Sequence, residues 1–374
     1  MTPQLEIQII AVIVAVACSI PGVFLVLRKM AMMSDAITHT ILLGIVVAFF
    51  IVRDINSPFL IIGAAAIGLI TVYLVELLNH TKLVSEDSAI GIVFPLLFSI
   101  AIIIISKYAR SIHLCTDSVL LGELAFAPFN RMIVGGVDIG AKAIYSMGTI
   151  LIINFVLVIL FFKELKIATF DKGLATVLGF SPVLIHYGLM TSVSVTAVGA
   201  FEAVGSILVI AFMIGPPITA YLLTDDLKKM LFISGIVGAI NAVLGYQFAD
   251  FFDVSIAGSM ATFTGITFFL IFIFAPERGI ITIIKRRKYQ EIDFASKTML
   301  FHIYNHEGNI NESVENGISS IYNHLNWKID FLNKIANKLK HNHYITIEKE
   351  VFKLTDLGRE YAKQSYESII FDED

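Results

Sequence analysis

The chain has 374 residues, of which 56% are hydrophobic and only 16% are charged, and its mean hydropathy is +0.80. Soluble globular domains carry about 25% charged residues, so this composition excludes an ordinary soluble protein. The formal net charge of −4 is small for this length and by itself identifies no partner.

Apolar runs of membrane-spanning length recur along the chain. A transmembrane helix needs about 20 consecutive, mainly apolar residues, and eight runs without Asp, Glu, Lys or Arg approach or reach this length. They are residues 7–27, 36–52, 55–75, 88–106, 143–162, 203–224, 230–249 and 254–276. A further candidate span begins near Pro182. The sequence therefore predicts an all-α polytopic membrane protein with eight or nine transmembrane helices.

Basic residues are distributed unequally between alternate loops when nine spans are counted. One set of loops contains Arg28, Lys29 and the basic run 285–288, whereas the other set contains few basic residues, such as Arg53 and Arg131. Because basic residues concentrate on the cytosolic side of membrane proteins, the N-terminus is expected outside and the C-terminus in the cytosol. The run 285–288 follows a span directly, so it is expected to contact membrane lipid.

Asp35 and His39 lie at the start of the second apolar run, four residues apart. In a helix this spacing puts both side chains on one face. An ionisable group inside a membrane costs roughly 2.5 kcal/mol or more, so it is rare without a partner or a function. A carboxylate oxygen and an imidazole nitrogen suit Mn, Fe and Zn ions. The alternative is a helix-end Asp that faces the cytosol and a His that bonds to a neighbouring helix.

Three further features lie in or beside apolar segments. Glu123 and Glu202 each adjoin an apolar run and are interpreted either as outward-facing acids that handle an arriving cation or as ordinary interfacial residues. The sequence Gly215-Pro216-Pro217 falls inside a predicted span, where proline removes a main-chain donor. It predicts a broken helix that lines a pathway, with a simple packing kink as the alternative.

A short amphipathic segment, residues 170–179, lies in a predicted cytosolic loop. Phe170, Leu174, Val177 and Leu178 share its apolar face. Such a helix can dock into a groove on a partner protein or lie on the bilayer surface.

Residues 285–374 differ in composition from the rest and contain 27 of the 58 charged side chains. The sequence therefore predicts two domains, a transmembrane domain at 1–284 and a cytosolic domain at 285–374. Patterning in the second predicts helices at 296–307, 312–323 and 328–340, strands at 344–348 and 351–354, and a helix at 355–365 capped by Thr355. This is the element order of a small α+β winged-helix-like domain. The pair His302 and His306 is interpreted as surface or core histidine.

Five segments in chain order resemble those of the metal-uptake ABC permease family, the membrane subunits of bacterial zinc, manganese and iron importers. Their sequences are SDAITH at 34–39, EDSAIGIVF at 86–94, LLGEL at 120–124, FDKGLATVLG at 170–179 and VGSILVIAFMIGPPITAYLLT at 204–224. The resemblance covers about residues 5–285. A shorter segment, residues 352–362, resembles the wing and following helix of diphtheria-toxin-repressor-like metalloregulators.

The resemblance implies specific roles. Asp35 and His39 would be metal ligands in the translocation path. Glu123 and Glu202 remain further candidate ligands because of their positions beside apolar segments, not because of the resemblance. The cargo would be a divalent cation, with manganese favoured over zinc or iron, and no covalently bound cofactor is expected. The docking surface for the ATPase subunit would consist of Phe170, Asp171, Leu174, Ala175, Leu178 and Gly179.

Further partners and the localisation also follow from the resemblance. The chain would reside in the bacterial plasma (inner) membrane, beside a second copy or a homologous permease, and receive metal from an extracytoplasmic binding protein. No Gly-x-x-x-x-Gly-Lys-Ser/Thr phosphate loop occurs in the sequence, so ATP hydrolysis is assigned to a separate chain.

Two other functions are open at this stage. An ion-coupled secondary metal transporter would share the apolar spans but would not need a docking segment at 170–179. A membrane-tethered metal-responsive transcription regulator would need a tail that binds DNA. Because the charges of the tail are balanced, 13 basic against 14 acidic, DNA is not expected as a partner.

Overall fold

The computed structural model describes residues 2–54, 57, 59–108, 124–134 and 137–371. It divides into two compact units, Met1–Gly279 and Ile280–Asp374, called here the membrane unit and the C-terminal unit. The sequence placed this boundary at 284/285. The structure places it at 279/280 because the helix that contains the basic run begins at Ile280 and belongs to the C-terminal unit.

The described part of the membrane unit is almost entirely helical. Its α-helices are α1 (Pro3–Leu27), α2 (Ala31–Val52), α3 (Phe59–His80), α4 (Glu86–Tyr108), α5 (Lys142–Leu160), α6 (Phe162–Phe170), α7 (Lys172–Val177), α8 (Pro182–Val204), α9 (Ser206–Leu223), α10 (Leu227–Phe252) and α11 (Ile256–Phe274). A 3₁₀ helix (Leu124–Phe129) precedes an antiparallel hairpin of β1 (Arg131–Val134) and β2 (Val137–Ala141).

Within these described ranges, nine helices are long and apolar enough to cross a bilayer, namely α1–α5 and α8–α11. The predicted polytopic helical fold is therefore confirmed. The choice between eight and nine spans depended on the segment from Pro182 to Thr224. Two separate helices, α8 and α9, occupy it and meet at Gly205, whose φ of 79° is favourable only for glycine.

Helix α1 lies at the centre of the membrane unit and packs against α5, α8, α9 and α10. Its side chains Ile10, Val14, Cys18 and Phe24 are fully buried. A helix that is apolar on all sides is expected to be enclosed in this way.

A buried polar cluster joins α1 to two of its neighbours. The Asn154 side chain of α5 donates to the main-chain carbonyl of Ala17 at 3.2 Å and to Thr196 Oγ1 of α8 at 2.7 Å. Asn154 Oδ1 accepts a hydrogen bond from Ser192 Oγ at 2.8 Å. An unpaired amide in an apolar environment costs several kcal/mol, so these bonds fix the relative register of the three helices.

The prediction that Gly215-Pro216-Pro217 breaks a helix is wrong, because α9 continues through both prolines. Pro217 has no N–H to donate to the carbonyl of Met213, four residues earlier. That carbonyl lies against Gly22 of α1, where an added Cβ atom would collide with it. Close packing on a glycine, in which Cα–H groups can approach the oxygen, thus covers the unpaired carbonyl.

A short ion network fixes the β1–β2 hairpin to the first turn of α1. Arg131 Nη1 donates to Glu6 Oε2 and its Nε donates to Asp138 Oδ2, both at 2.8 Å. The hydrogen bonds from Arg131 hold the pKa of the Asp138 carboxyl below its usual range. The stabilisation from this carboxylate is therefore present above its unfolded-state pKa and is lost as the pH falls through the lowered one.

The C-terminal unit has its own hydrophobic core. Its elements are α12 (Ile280–His306), α13 (Glu312–Glu315), α14 (Ile318–Leu325), α15 (Ile329–His341), β3 (Ile345–Glu348), β4 (Val351–Leu354) and α16 (Asp356–Phe371). Met299, Ile321, Ile335 and Phe352, from four of these elements, are buried together. The predicted N-cap is confirmed, since the Gly358 N–H donates to Thr355 Oγ1 at 3.0 Å.

Two predicted helices of this unit differ from the structure. The first was placed at 296–307 but begins at Ile280, because its charged first half is compatible with an exposed helix. The second, at 312–323, is divided into α13 and α14 at Asn316-Gly317. There the main chain pairs with the hairpin: the Asn316 carbonyl accepts from the Phe352 N–H at 3.0 Å, and the Ile318 N–H donates to the Glu350 carbonyl at 3.1 Å.

Close helix contact at Gly245 provides a test of the packing of α10 on α11. A Cβ atom at Gly245 would collide with the main chain of Met260, whereas one at Gly265 of α11 would meet nothing within 4 Å in the described part of the chain. We expect Gly245→Ala to lower the thermal unfolding temperature of the detergent-solubilised chain, since overpacking costs about 1–3 kcal/mol. Gly265→Ala is the matched control and should leave the temperature unchanged or slightly higher. Equal effects of the two variants would contradict this packing.

Candidate functional site

Asp35 and His39 lie together on α2, as their spacing predicted. His39 Nε2 is 3.3 Å from Asp35 Oδ1, and the two side chains are 23% and 31% exposed, respectively. The opposite face of α2 carries Met33, Ile37 and Ile41, which are fully buried. Because those residues repeat with helical periodicity on the packed face, they turn the polar pair away from the core.

The aromatic side chains of α4 line one side of this pair. The ring of His39 lies 5.1 Å from that of Phe94 and 6.1 Å from that of Phe98, measured between centroids. These contacts restrict the imidazole while leaving part of it accessible. The pair therefore offers one oxygen and one nitrogen donor at a partly exposed position.

Of the other two predicted ligands, Glu202 does not join this pair, and Glu123 cannot be placed. Glu202 lies in the last turn of α8, is 54% exposed, and has its Oε1 atom 3.5 Å from Lys142 Nζ. Glu123 lies outside the described residues. Among the described residues of the membrane unit, no group of three or more His, Cys, Asp or Glu side chains comes close enough to hold a metal ion. Asp35 and His39 therefore offer two donor atoms, and a metal ion bound there would need its other ligands from another source.

The segment predicted to dock on a partner is a short exposed helix, α7. The Asp171 side chain caps it by accepting the Leu174 N–H at 2.9 Å, and Gly179 follows its end with a φ of 84°. Phe170 differs from the prediction, because it is the last residue of α6 rather than part of this helix.

Helix α7 and its flanks have one side that is buried against the membrane unit and one side that is exposed. Ala175 is fully buried and fixes the helix to the membrane unit. Large apolar side chains lie on the exposed side: Phe170 at 61%, Leu174 at 48%, Val177 at 84% and Leu178 at 53%. An apolar patch of this kind at the end of a span is typical of a protein or membrane interaction site.

A second ionisable cluster, which the sequence reasoning missed, connects α3, α8 and the end of α1. Glu76 Oε1 is 2.8 Å from His186 Nε2, and Glu76 Oε2 accepts the Tyr187 hydroxyl at 2.6 Å. Arg28 Nη1 lies 3.4 Å from His186 Nδ1, and Arg28 Nε donates to Thr169 Oγ1 at 3.1 Å. Glu76 directly follows the apolar run 55–75, and an acid at that position is itself a signal of a partner on another helix.

This cluster reaches the segment that is predicted to dock on a partner. Thr169 directly precedes Phe170, so Arg28 connects the last turn of α6 with His186 on α8 and, through it, with Glu76 on α3. Helix α3 in turn packs along α2, which carries Asp35 and His39. A chain of polar contacts and packed helices therefore joins the docking segment to the helix of the candidate metal site.

Comparison with known proteins gives consistent matches. A family model described as "ABC 3 transport family" matches residues 5–275. The manganese transport system membrane protein MntD of Bacillus subtilis is 48% identical over 271 residues, which cover 72% of this chain and 92% of that protein. The zinc transport system membrane protein TroD of Treponema pallidum is 43% identical over 323 residues, 86% of this chain and 88% of that one.

A solved structure shares the architecture. The structure titled "PsaBC from Streptococcus pneumoniae in complex with Fab" matches with a TM-score of 0.62 and 28% identity, and the match covers 74% of this chain and 94% of that one. The TroD match, at 323 residues, is longer than the membrane unit, so it extends into the C-terminal unit.

The Tyr187–Glu76 hydrogen bond can be tested with a matched pair of substitutions. Tyr187→Phe removes a bond to a carboxylate, and such bonds contribute about 1.5–3 kcal/mol. Tyr145→Phe removes a bond of similar length, 2.7 Å, to the Ile139 carbonyl at an exposed position. We expect the first variant to lower the unfolding temperature in detergent clearly more than the second. The cluster would have no structural role if the order were reversed.

Proposed function

We infer that this chain, which belongs to the ABC 3 transport family, is the membrane permease subunit of an ATP-driven importer of divalent metal ions. Manganese is the favoured cargo, because manganese systems predominate among the relatives and MntD is 48% identical, while zinc and iron systems also occur among them. Family membership over residues 5–275 also disfavours the secondary-transporter and membrane-tethered regulator alternatives.

Asp35 and His39 are our proposed cargo ligands. The observation that carries this proposal is the 3.3 Å approach of a carboxylate oxygen and an imidazole nitrogen on a partly exposed face of a spanning helix. Oxygen and nitrogen donors together suit Mn²⁺ and do not exclude Zn²⁺ or Fe²⁺. Two protein ligands leave positions open for water or for a second permease chain. An incomplete site of this kind allows the ion to leave, which transport requires.

The partners proposed on these grounds are those of an ABC importer. The exposed apolar face of α7 and its flanks would seat in a groove of a separate ATPase subunit, with Asp171, Ala175 and Gly179 holding the helix in shape. Glu202, and Glu123 on the same side of the predicted topology, would meet cations from an extracytoplasmic binding protein. The transporting assembly would contain two permeases, identical or homologous.

The localisation proposed for this multi-pass protein is the bacterial plasma membrane, with the C-terminal unit in the cytosol. The positive-inside rule assigns to the cytosol the segments that contain Lys228, Lys229, Arg278 and the basic run 285–288. We also propose that the C-terminal unit is a winged-helix-like module, since α14, α15 and the β3–β4 hairpin follow that order.

Substitution of the ligand pair tests the site. Asp35→Ala and His39→Ala should each reduce manganese uptake by vesicles at least about tenfold. Even substitution of residues that only hydrogen-bond to metal ligands lowers metal affinity or activity about 10- to 100-fold. Asp250→Asn, an exposed carboxylate near the end of α10, is the control and should transport normally. Uptake at the wild-type rate by both ligand variants, with equal amounts of chain in the membrane, would refute the assignment.

Substitution in α7 tests the coupling. Leu174→Glu places a charge on the exposed apolar face and should abolish co-purification of the ATPase subunit and metal-stimulated ATP hydrolysis, because a charge cannot enter an apolar groove without a partner. Thr176→Glu introduces the same charge on the exposed polar side of the same helix and should be tolerated. If Leu174→Glu leaves the assembly and ATP-driven transport intact, α7 does not dock on the ATPase.

A further inference from the structure

The C-terminal unit contains a group of side chains with the chemistry of a metal site. One ligand atom each from His302, Glu315 and His324 lies within 4.8 Å of the other two, and this is the only such group in the part of the chain that the structure describes. The group belongs to a different unit from Asp35 and His39. Its existence therefore does not depend on the proposed transport site.

The fold brings these residues together from three separate helices. His302 lies near the end of α12, Glu315 is the last residue of α13, and His324 lies in the last turn of α14. The break at Asn316-Gly317 turns α14 back so that His324 faces Glu315. The Nε2 atom of His302 is 3.1 Å from the Glu315 main-chain carbonyl, which holds the imidazole beside the same residue.

The distances are close to those around a bound ion. His324 Nδ1 is 3.3 Å from Glu315 Oε2. Ligands of a tetrahedral Zn²⁺, at about 2.0–2.2 Å from the metal, are separated from one another by roughly 3.3–3.6 Å. All three ligand atoms lie within 4.8 Å of one another, so small side-chain rotations would bring them to the separations found around a bound ion.

Glu315 provides a second, independent observation. Its Oε2 atom is buried and has no hydrogen bond of acceptable geometry within the described part of the chain, although His324 Nδ1 is near. A buried carboxylate oxygen without a hydrogen bond is costly. A cation between the carboxylate and the two imidazoles would remove this cost.

The fold also places a fourth candidate ligand, the imidazole of His306, near this group. The ring of His302 lies 4.7 Å from the ring of His306 and 5.6 Å from the ring of His324, measured between centroids. His302 and His306 are four residues apart on α12, the spacing with which two histidines on one helix face bind zinc. The nearby acid Glu307 is occupied by Arg359, at 2.7 Å.

We propose that His302, Glu315 and His324 form a binding site for one divalent first-row transition metal ion, with His306 able to complete it. Two imidazoles and one carboxylate favour Zn²⁺ or Fe²⁺ over the hard cations Mg²⁺ and Ca²⁺. Because the ligands come from α12, α13 and α14, a bound ion would link three helices of the C-terminal unit.

The single tryptophan of the chain makes this site measurable in the intact protein. Trp327 is partly buried against the core of the C-terminal unit, three residues after His324. Its fluorescence therefore reports on this unit alone. Co²⁺, which adopts the same sites as Zn²⁺ and quenches nearby fluorophores, is the probe, and the full-length chain in detergent is titrated with it.

We expect saturable quenching with one Co²⁺ per chain, reversed by Zn²⁺. Glu315→Gln, which keeps the size of the side chain, and His324→Gln should each raise the Kd at least tenfold. His341→Ala changes an exposed histidine of the same unit outside the group and should have no effect. Emission in the absence of metal shows whether each variant is folded. The double variant Asp35→Ala/His39→Ala should retain the quenching, so failure of the transport site and failure of this one are distinguishable.

Quenching that does not saturate, or that has the same Kd in the wild type, Glu315→Gln and His324→Gln, would overturn the proposal. So would a loss of quenching in His341→Ala equal to that in the ligand variants. In these cases the group is a structural contact in which His302 only holds the end of α13.

Discussion

The enclosure of α1 by its neighbours is the constraint on which the membrane unit depends. Four helices pack around it, and they can do so because small residues occur where main chains meet. The Met213 carbonyl, which Pro217 leaves without a donor, packs against Gly22, and the Ala17 carbonyl accepts a hydrogen bond from the side-chain amide of Asn154. In a bilayer, where water cannot pair with main-chain groups, each of these contacts satisfies a polar group and fixes a helix at the same time.

The end of α1 extends this constraint to the functional segments. Arg28, the residue after α1, contacts Thr169 beside the docking helix and His186 beside Glu76. A displacement of α7 by a partner would therefore act on α3 and α8 through polar contacts rather than through a flexible loop. The polar pair Asp35 and His39 lies on α2, outside this enclosed centre and partly exposed. A rigid centre with a more accessible ligand helix is the arrangement expected when one part of a transporter must move against another.

The sequence was sufficient for features with a local cause. The polytopic helical fold follows from apolar runs, the approach of Asp35 to His39 follows from their spacing in one helix, and Thr355 caps the helix that follows it. It was insufficient where the cause is tertiary. Glu76 and His186 are 110 residues apart in the chain, so no periodic pattern connects them.

Local rules also gave wrong results where packing replaced a missing bond. The two prolines of α9 leave carbonyls without donors, which predicts a break, but the contact with Gly22 compensates on another helix. The sequence also could not place Glu315 and His324 beside His302, which was interpreted with His306 as surface or core histidine. They lie together because α13 and α14 are separated at Gly317, where the main chain pairs with the hairpin.

The two proposed metal sites differ in a way that fits different tasks. Asp35 and His39 come from one helix and supply two donors at a partly exposed position, so an ion held there can exchange its other ligands and leave. His302, Glu315 and His324 come from three helices and would supply three donors, one of them the buried Oε2 atom of Glu315, so an ion held there would connect the three helices. Transport needs the first kind of site, because binding must be reversible at every turnover. The second kind couples metal binding to the folding of the domain that holds it.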